Sequence, residues 1–281
     1  PTYGFAVGPA WPTERSAYDY LLSLTHPGWA WELLRRSDDY CLAAKVHGCI
    51  ETRLLPGSEI VRIREPDDIG AKLRFGACPA FAAPDLPAPL APVLWLAQHA
   101  HPMVHFAASH DGLDHERDFD ITQLPFAVHV HFDANGRQYV VLKSATHHVT
   151  CLISGALVTA GAVRAHFTAR SVAELSASLG ALGIFVHAVL GQRPLVAADL
   201  PGPVDRVHLR DAIIAIDGER AGATRREIAT VIYGAKKVAL EWSDDDGRMK
   251  AVIKRDVPRG RRLVAGGWRT MVAGRTFRAV A

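Results

Sequence analysis

Long apolar runs, paired cysteines and the short signatures of catalysis are what this sequence lacks. Its longest apolar stretch, Val149 to Val163, falls short of the roughly 18–20 residues that a bilayer crossing needs, and Thr150, Ser154 and Thr159 interrupt it. No membrane span is expected. The opening Pro1-Thr2-Tyr3-Gly4 has no basic stretch leading into an apolar core, so no export signal is read and a cytoplasmic location is expected. The four cysteines, Cys41, Cys49, Cys78 and Cys151, form no C-x-x-C pair, which argues against a zinc knuckle or a disulfide framework. They are expected as reduced, buried small hydrophobes. There is no H-E-x-x-H, no G-x-S-x-G elbow, no phosphate-binding glycine loop and no dinucleotide fingerprint, and Gly155 and Gly161 stand too isolated to count. No cofactor and no enzymatic activity are therefore expected.

What is present is a globular composition with a lopsided charge. Of 281 residues, 49% are hydrophobic and 22% charged, enough apolar surface to bury a core and to build one large domain or two to three small ones. The formal net charge of +3 hides an asymmetry. From Asp205 to the end there are 17 Lys and Arg against 10 Asp and Glu, while the preceding residues carry 15 against 19. From Arg248 onward ten basic residues face Asp256 alone. The natural partner of such a terminus is a polyanion.

The expected organisation is α+β. A small helical unit over 1–50 begins with Thr13 to Leu24, is broken by Pro27-Gly28, resumes over Trp29 to Arg36, and takes another turn from Ser37 through Tyr40 and Leu42. Its Trp11, Trp29, Trp31, Tyr18 and Tyr20 read as its own core, and a unit so small needs to dock on something else. Residues 51–92 are expected as a connection, extended where Pro79, Pro84, Pro87, Pro89 and Pro92 crowd together. A middle α+β domain over 93–193 has strands at Val93 to Ala97 and Phe126 to Phe132, the latter joined by Asp133-Ala134-Asn135-Gly136 to Gln138 to Lys143 as an antiparallel hairpin. There Ser171 and Glu174 form a capping box ahead of a helix with Leu175, Leu179, Leu182, Val186 and Val189 on one face. Pro194 to Pro203 reads as a second linker.

The last domain, 204–281, has the pattern of a trihelical, helix-turn-helix-like module. Its first helix runs from Asp205 to Ile216 with Val207, Ile213, Ile214 and Ile216 inward, closing at Asp217-Gly218. The second opens on a capping box, Thr224-Arg225-Arg226-Glu227, and runs through Ile228, Val231 and Ile232 to Gly234. The third starts at Ser243, with Asp244, Asp245 and Asp246 at the positive end of its dipole. Met249, Val252 and Ile253 make its inward stripe, and Arg248, Ala251, Arg255, Arg259 and Arg262 follow helical spacings on another face. Guanidinium groups on one face suit phosphate oxygens and guanine edges, with Lys250 and Lys254 as supplementary point charges. This third helix is the expected recognition helix. Arg225 and Arg226 would bind phosphate; Arg248, Lys250, Lys254, Arg255 and Arg259 would enter or flank the major groove; and Arg261, Arg262 and Arg269 would hold the backbone. Pro258 and Gly260 are expected to kink or end the helix early, the connection from Gly234 to Ser243 is long for a tight turn, and Trp268 reads as an anchor.

These residues carry a resemblance. Leu209 to Met271, with Leu-Arg-Asp-Ala near its start, Gly222-Ala223-Thr224-Arg225-Arg226-Glu227-Ile228-Ala229 in the middle and Arg261-Arg262-Leu263-Val264-Ala265-Gly266-Gly267-Trp268-Arg269 at its end, resembles the DNA-binding domain of the RovC-like transcription factors. Trp11-Pro12, Ala17-Tyr18-Asp19-Tyr20-Leu21 and Ala30 to Tyr40 are similar to the small transcriptional-regulator-like domain that often precedes it. The resemblance implies a cytoplasmic homo-oligomeric activator that binds double-stranded DNA at genes of secretion systems or mobile elements. A regulatory protein partner is compatible with it; Pro258 and the His-rich middle segment depart from it.

Two rivals remain. One is a family member without DNA binding that acts as an anti-activator by sequestering a regulator, against which the cationic helix argues. The other is a metal-dependent hydrolase in the His-rich segment: His99 with His101, and His129 with His131, would share strand faces, with His105, His110, His115, His147 and His148 nearby in sequence. No carboxylate stands at an H-x-H-x-D spacing, so ordinary surface or satisfied core histidines are the expectation and no metal ligand is assigned.

Overall fold

The computed structural model describes residues 11–47, 52–54, 60–63, 74–75, 82–91, 93–95, 103–112, 118–124, 127–132, 136–143, 148–169, 172, 175–190, 201–242 and 247–273. The chain folds into two compact units. One is drawn from Lys45–Ala82 and Pro92–Ala198, the other from Pro1–Ala44, Ala83–Ala91 and Asp199–Ala281.

The first of these is built on a mixed sheet. Its strands are β1 (Thr52–Leu54), β2 (Ile60–Ile63), β3 (Val104–Ser109), β4 (Ala127–Phe132), β5 (Gln138–Lys143), β6 (His148–Gly155) and β7 (Arg164–Thr168). Five strands from the middle of the chain lie in the order β4-β5-β6-β3-β7, and β1-β2 extend the β4 edge. The expected hairpin is there, with Phe132 opposite Gln138 and Ala127 opposite Lys143, although Asp133, Ala134 and Asn135 lie outside the described residues. Purely antiparallel pairing gives way to parallel pairing at β2/β4 and β3/β6. The described part of Val93–Ala97 is not a strand.

One sheet face carries Val104, Phe106, Val128, Val130, Val140, Leu142, Cys151 and Ile153, the alternate positions that a pleated strand turns to one side. Helix α1 (Leu175–Val189) covers this face. It does so through Ala181 and Phe185, with Leu182 and Val189 beside them. The expected stripe is thus rotated: Leu175, Leu179 and Val186 are exposed, because Phe185 drops into a cluster with Phe106, Phe119 and Phe167 at centroid separations of 5.5–6.2 Å. The opposite face is covered too, around Leu94, Met103, Tyr139 and Val141. His129 and His131 are buried on that side, core rather than surface histidines. Among the described residues no group of three or more His, Cys, Asp or Glu is placed to hold a metal ion; His99, His101, His115 and His147 lie outside them.

The other unit is helical. It contains a 3-10 segment (Arg15–Ser23), α2 (His26–Leu34), α3 (Asp38–His47), α4 (Pro203–Arg220), α5 (Arg225–Tyr233), α6 (Ala235–Glu241), α7 (Arg248–Arg262), a π-helical turn (Leu263–Gly267) and α8 (Trp268–Val272). Pro27-Gly28 opens α2 rather than breaking a helix, because Pro27 falls in the first turn, where a missing N–H has no bond to lose. Every residue of α2 is buried. It packs on α8 and the π-helical turn, while the 3-10 segment packs on α4. Residues 82–91 form two successive turns rather than an extended strip. They dock on α2: Trp31 Nε1 donates to Leu86 O at 2.9 Å, Arg35 Nη1 to Pro84 O at 3.0 Å, and Ala88 N to Glu32 Oε1 at 2.7 Å. Among the described residues no helix is long and apolar enough to cross a membrane.

Candidate nucleic-acid interface

The frame of the basic surface is α4, buried on nearly all sides from Leu209 to Ile216. It continues through Asp217-Gly218 to Arg220, about one turn beyond the expected stop, and Val207 faces outward. Asp217 is held there by the forked guanidinium of Arg36, Nε at 2.8 Å and Nη2 at 2.9 Å. Behind Arg36 stands Glu32, fully buried, whose Oε2 accepts from Arg35 Nε and Arg36 Nη1 at 2.7 Å each. Burial pushes the Glu32 carboxyl up, but Arg35 and Arg36 outweigh it and hold the group below its ordinary range.

The turn after α4 leads into α5, and the capping box forms as expected: Glu227 N donates to Thr224 Oγ1 at 3.3 Å, and Thr224 N to Glu227 Oε2 at 2.7 Å. Those bonds hold the Glu227 carboxyl low. Ile228, Ala229, Val231 and Ile232 turn inward, which leaves Arg225 and Arg226 exposed on the first turn. The connection that looked long holds α6, a helix missing from the sequence reading. It shows no stripe because Val238 is the one residue it buries.

Helix α7 begins at Arg248 behind Gly247; Ser243 to Asp246, the expected start, lie outside the described residues. Its inward positions are Met249, Ile253, Asp256 and Gly260, a 4-3-4 spacing that keeps to one face of a helix; Val252 is only half-buried. Pro258 neither ends nor breaks it, and the helix runs on to Arg262. Pro258 sits on the exposed side, where water can satisfy the carbonyl its missing N–H leaves behind. Gly260 brings α7 against α4: a Cβ there would lie 2.6 Å from Ala212 O, so only glycine permits this approach.

Asp256, the sole acid of α7, is under the helix rather than on it. Burial and the neighbouring Asp211 carboxylate push its pKa up, opposed by Arg259, His208 and Arg255. Burial next to the same two acids pushes the Tyr233 hydroxyl up to about 12. Every charged side chain left on the outer surface of α7 is a cation. Arg248, Lys250, Lys254, Arg255 and Arg262 are exposed and Arg259 is half-buried. Lys250 also lies over the Trp242 ring at 5.8 Å. Arg261 is exposed but engaged by Glu219 on α4, Nε to Oε2 at 2.8 Å. Arg269 lies over the Trp268 ring at 4.3 Å, and Trp268 is buried as an anchor.

A helical module that turns one basic helix outward over two supporting helices has the electrostatic footprint of a nucleic-acid-binding protein. Residues 163–272 match the family model of the RovC DNA-binding domain, described as "T6SS, Transcription factor, DNA binding domain", and residues 11–45 match the proteobacterial transcriptional regulator-like domain. The chain therefore carries a RovC DNA-binding domain and a proteobacterial transcriptional regulator-like domain, and it is a DNA-binding transcriptional regulator. No curated protein matches it. The first match reaches back to β7 and α1 of the sheet unit; the second covers the 3-10 segment, α2 and most of α3.

Proposed function

We propose that the protein is a cytoplasmic, sequence-specific activator of secretion-system or mobile-element genes that acts as a homo-oligomer and by binding rather than catalysis. The observation that carries the DNA-binding part is the outer surface of α7, from which the helix's own acid has been withdrawn. Arg225 and Arg226 bind phosphate at the start of α5. Arg248, Lys250, Lys254, Arg255 and Arg259 lie in or beside the major groove, and Arg262 and Arg269 hold the backbone, with Arg261 available once Glu219 yields it. The anti-activator alternative gives no reason for a helix surface whose charged groups are all cations.

Lys254 and Arg255 suit the test because both are exposed and their removal leaves the core intact. Salt titration of full-length protein on its own upstream DNA should show steep loss of affinity with salt. The Lys254→Ala/Arg255→Ala variant should bind more weakly with a log–log slope shallower by about two. A wild type that binds no duplex at low salt would sink the proposal.

A further inference from the structure

Resting on the DNA-binding reading, we infer that α6 reads base edges, through Lys236, Ala239 and Leu240, while the cations of α7 lie beside that groove and add phosphate contacts. The first reason is the junction. Gly234 alone separates α5 from α6, ending one helix and opening the other at φ 88°, ψ 149°. Its N–H donates to Thr230 O at 2.9 Å and its carbonyl accepts from Val238 N at 3.1 Å. Two helices sharing one residue form a very tight helix-turn-helix. In that motif the first helix crosses the backbone and the second enters the groove, and the exposed Arg225 and Arg226 place cations on the first.

The second reason is what α6 turns outward. It contacts α5 and buries Val238, with Trp242 half-buried just beyond its end. Lys236 and Leu240, four residues apart, share the opposite face, with Ala239 at its margin. Leu240 is 79% exposed, an apolar side chain that water disfavours and that contact with a thymine methyl would cover. Lys237 is occupied by Glu241 at 3.9 Å and by the Tyr233 ring at 5.7 Å; Lys236 has no such partner among the described residues. It is the donor left to meet guanine O6 and N7. At 7 residues and about 1.5 Å of rise each, α6 is short enough to lie within a groove about 12 Å wide.

The third reason is continuity. Lys250, in the first turn of α7, lies over Trp242 at 5.8 Å, so the cationic surface of α7 starts where α6 ends. The arrangement calls for a guanine and a thymine close together in the recognised site.

The test is selection from a random duplex library by the full-length chain. Anisotropy titrations on the selected site, on single base-pair variants of it and on unrelated duplex follow. Lys236→Ala and Leu240→Ala should each weaken the selected site about tenfold and flatten discrimination at neighbouring base pairs, with Leu240→Ala leaving unrelated duplex unaffected. Lys254→Ala should weaken both duplexes alike. Retention of full base discrimination by both α6 variants would overturn the assignment while DNA binding stands, and so would a wild type that binds duplex without sequence preference. A wild type that binds no duplex removes the DNA-binding reading and the inference with it.

Discussion

Two buried carboxylates of the helical unit have opposite characters, and their neighbours decide which. Glu32 accepts from Arg35, Arg36 and Ala88 N, so both its oxygens are satisfied. Its pKa lies below the usual 4.5, so it contributes stability that is present above that pH and lost as the pH falls through the folded value. Glu32→Gln removes the buried negative charge that Arg35 and Arg36 share, leaving Arg36 its pairing with Asp217, and should cost about 3 kcal/mol in denaturant unfolding; an unchanged midpoint would refute the network's role. Asp256 is the reverse. Raised above 3.8 by burial first and Asp211 second, it binds its proton more tightly folded than unfolded. Its favourable contribution is full below 3.8 and disappears as the pH rises through the folded value. Asp256→Asn should therefore raise the thermal midpoint at pH 7, and the gain should shrink as the pH is lowered toward 3.8. A gain independent of pH would point to packing instead.

At the level of elements, legibility followed how local the signal was. The capping box of Thr224 and Glu227 and the β4–β5 hairpin rest on residues a few positions apart, and both are where the sequence puts them. The basic face of α7 was visible in the spacing of Arg248, Arg255 and Arg262, and Asp256 under it was not, since an acid in an inward stripe looks like an error until its partners are known. Helix α6 escaped notice because one inward side chain makes no period. The parallel β3–β6 pairing depends on residues too distant for any local pattern. Pro258 misled because its effect depends on which side of the helix it faces, and Gly260 had a meaning only beside Ala212. Gly260→Ala should force α4 and α7 apart and cost about 1–3 kcal/mol, with loss of DNA affinity in titrations at the unfolding-free temperature. A variant as stable as wild type would mean the two backbones have room to spare.

For the molecule as a whole, the two ends of the chain build one helical unit. The 3-10 segment lies on α4, α2 on α8, and Arg36 forks onto Asp217. The sequence suggested that the first helices were too few to stand alone; it could not say that the C-terminal helices are what they stand on, because contacts between residues so far apart leave no local trace. Deleting residues 1–50 should leave the remaining helices without a cooperative thermal transition and without DNA affinity. A deletion protein that melts sharply and binds duplex would show that the C-terminal helices suffice.

The complete burial of α2 also sets an order of events in time. As a ribosome releases the chain, His26–Leu34 emerges early with an apolar surface whose cover, Trp268–Val272, does not exist until much later. A chain interrupted before Trp268 would lack that cover, and truncation ahead of Trp268 is expected to cost both the sharp thermal transition and the affinity for duplex, which melting and titration of the truncated protein would check.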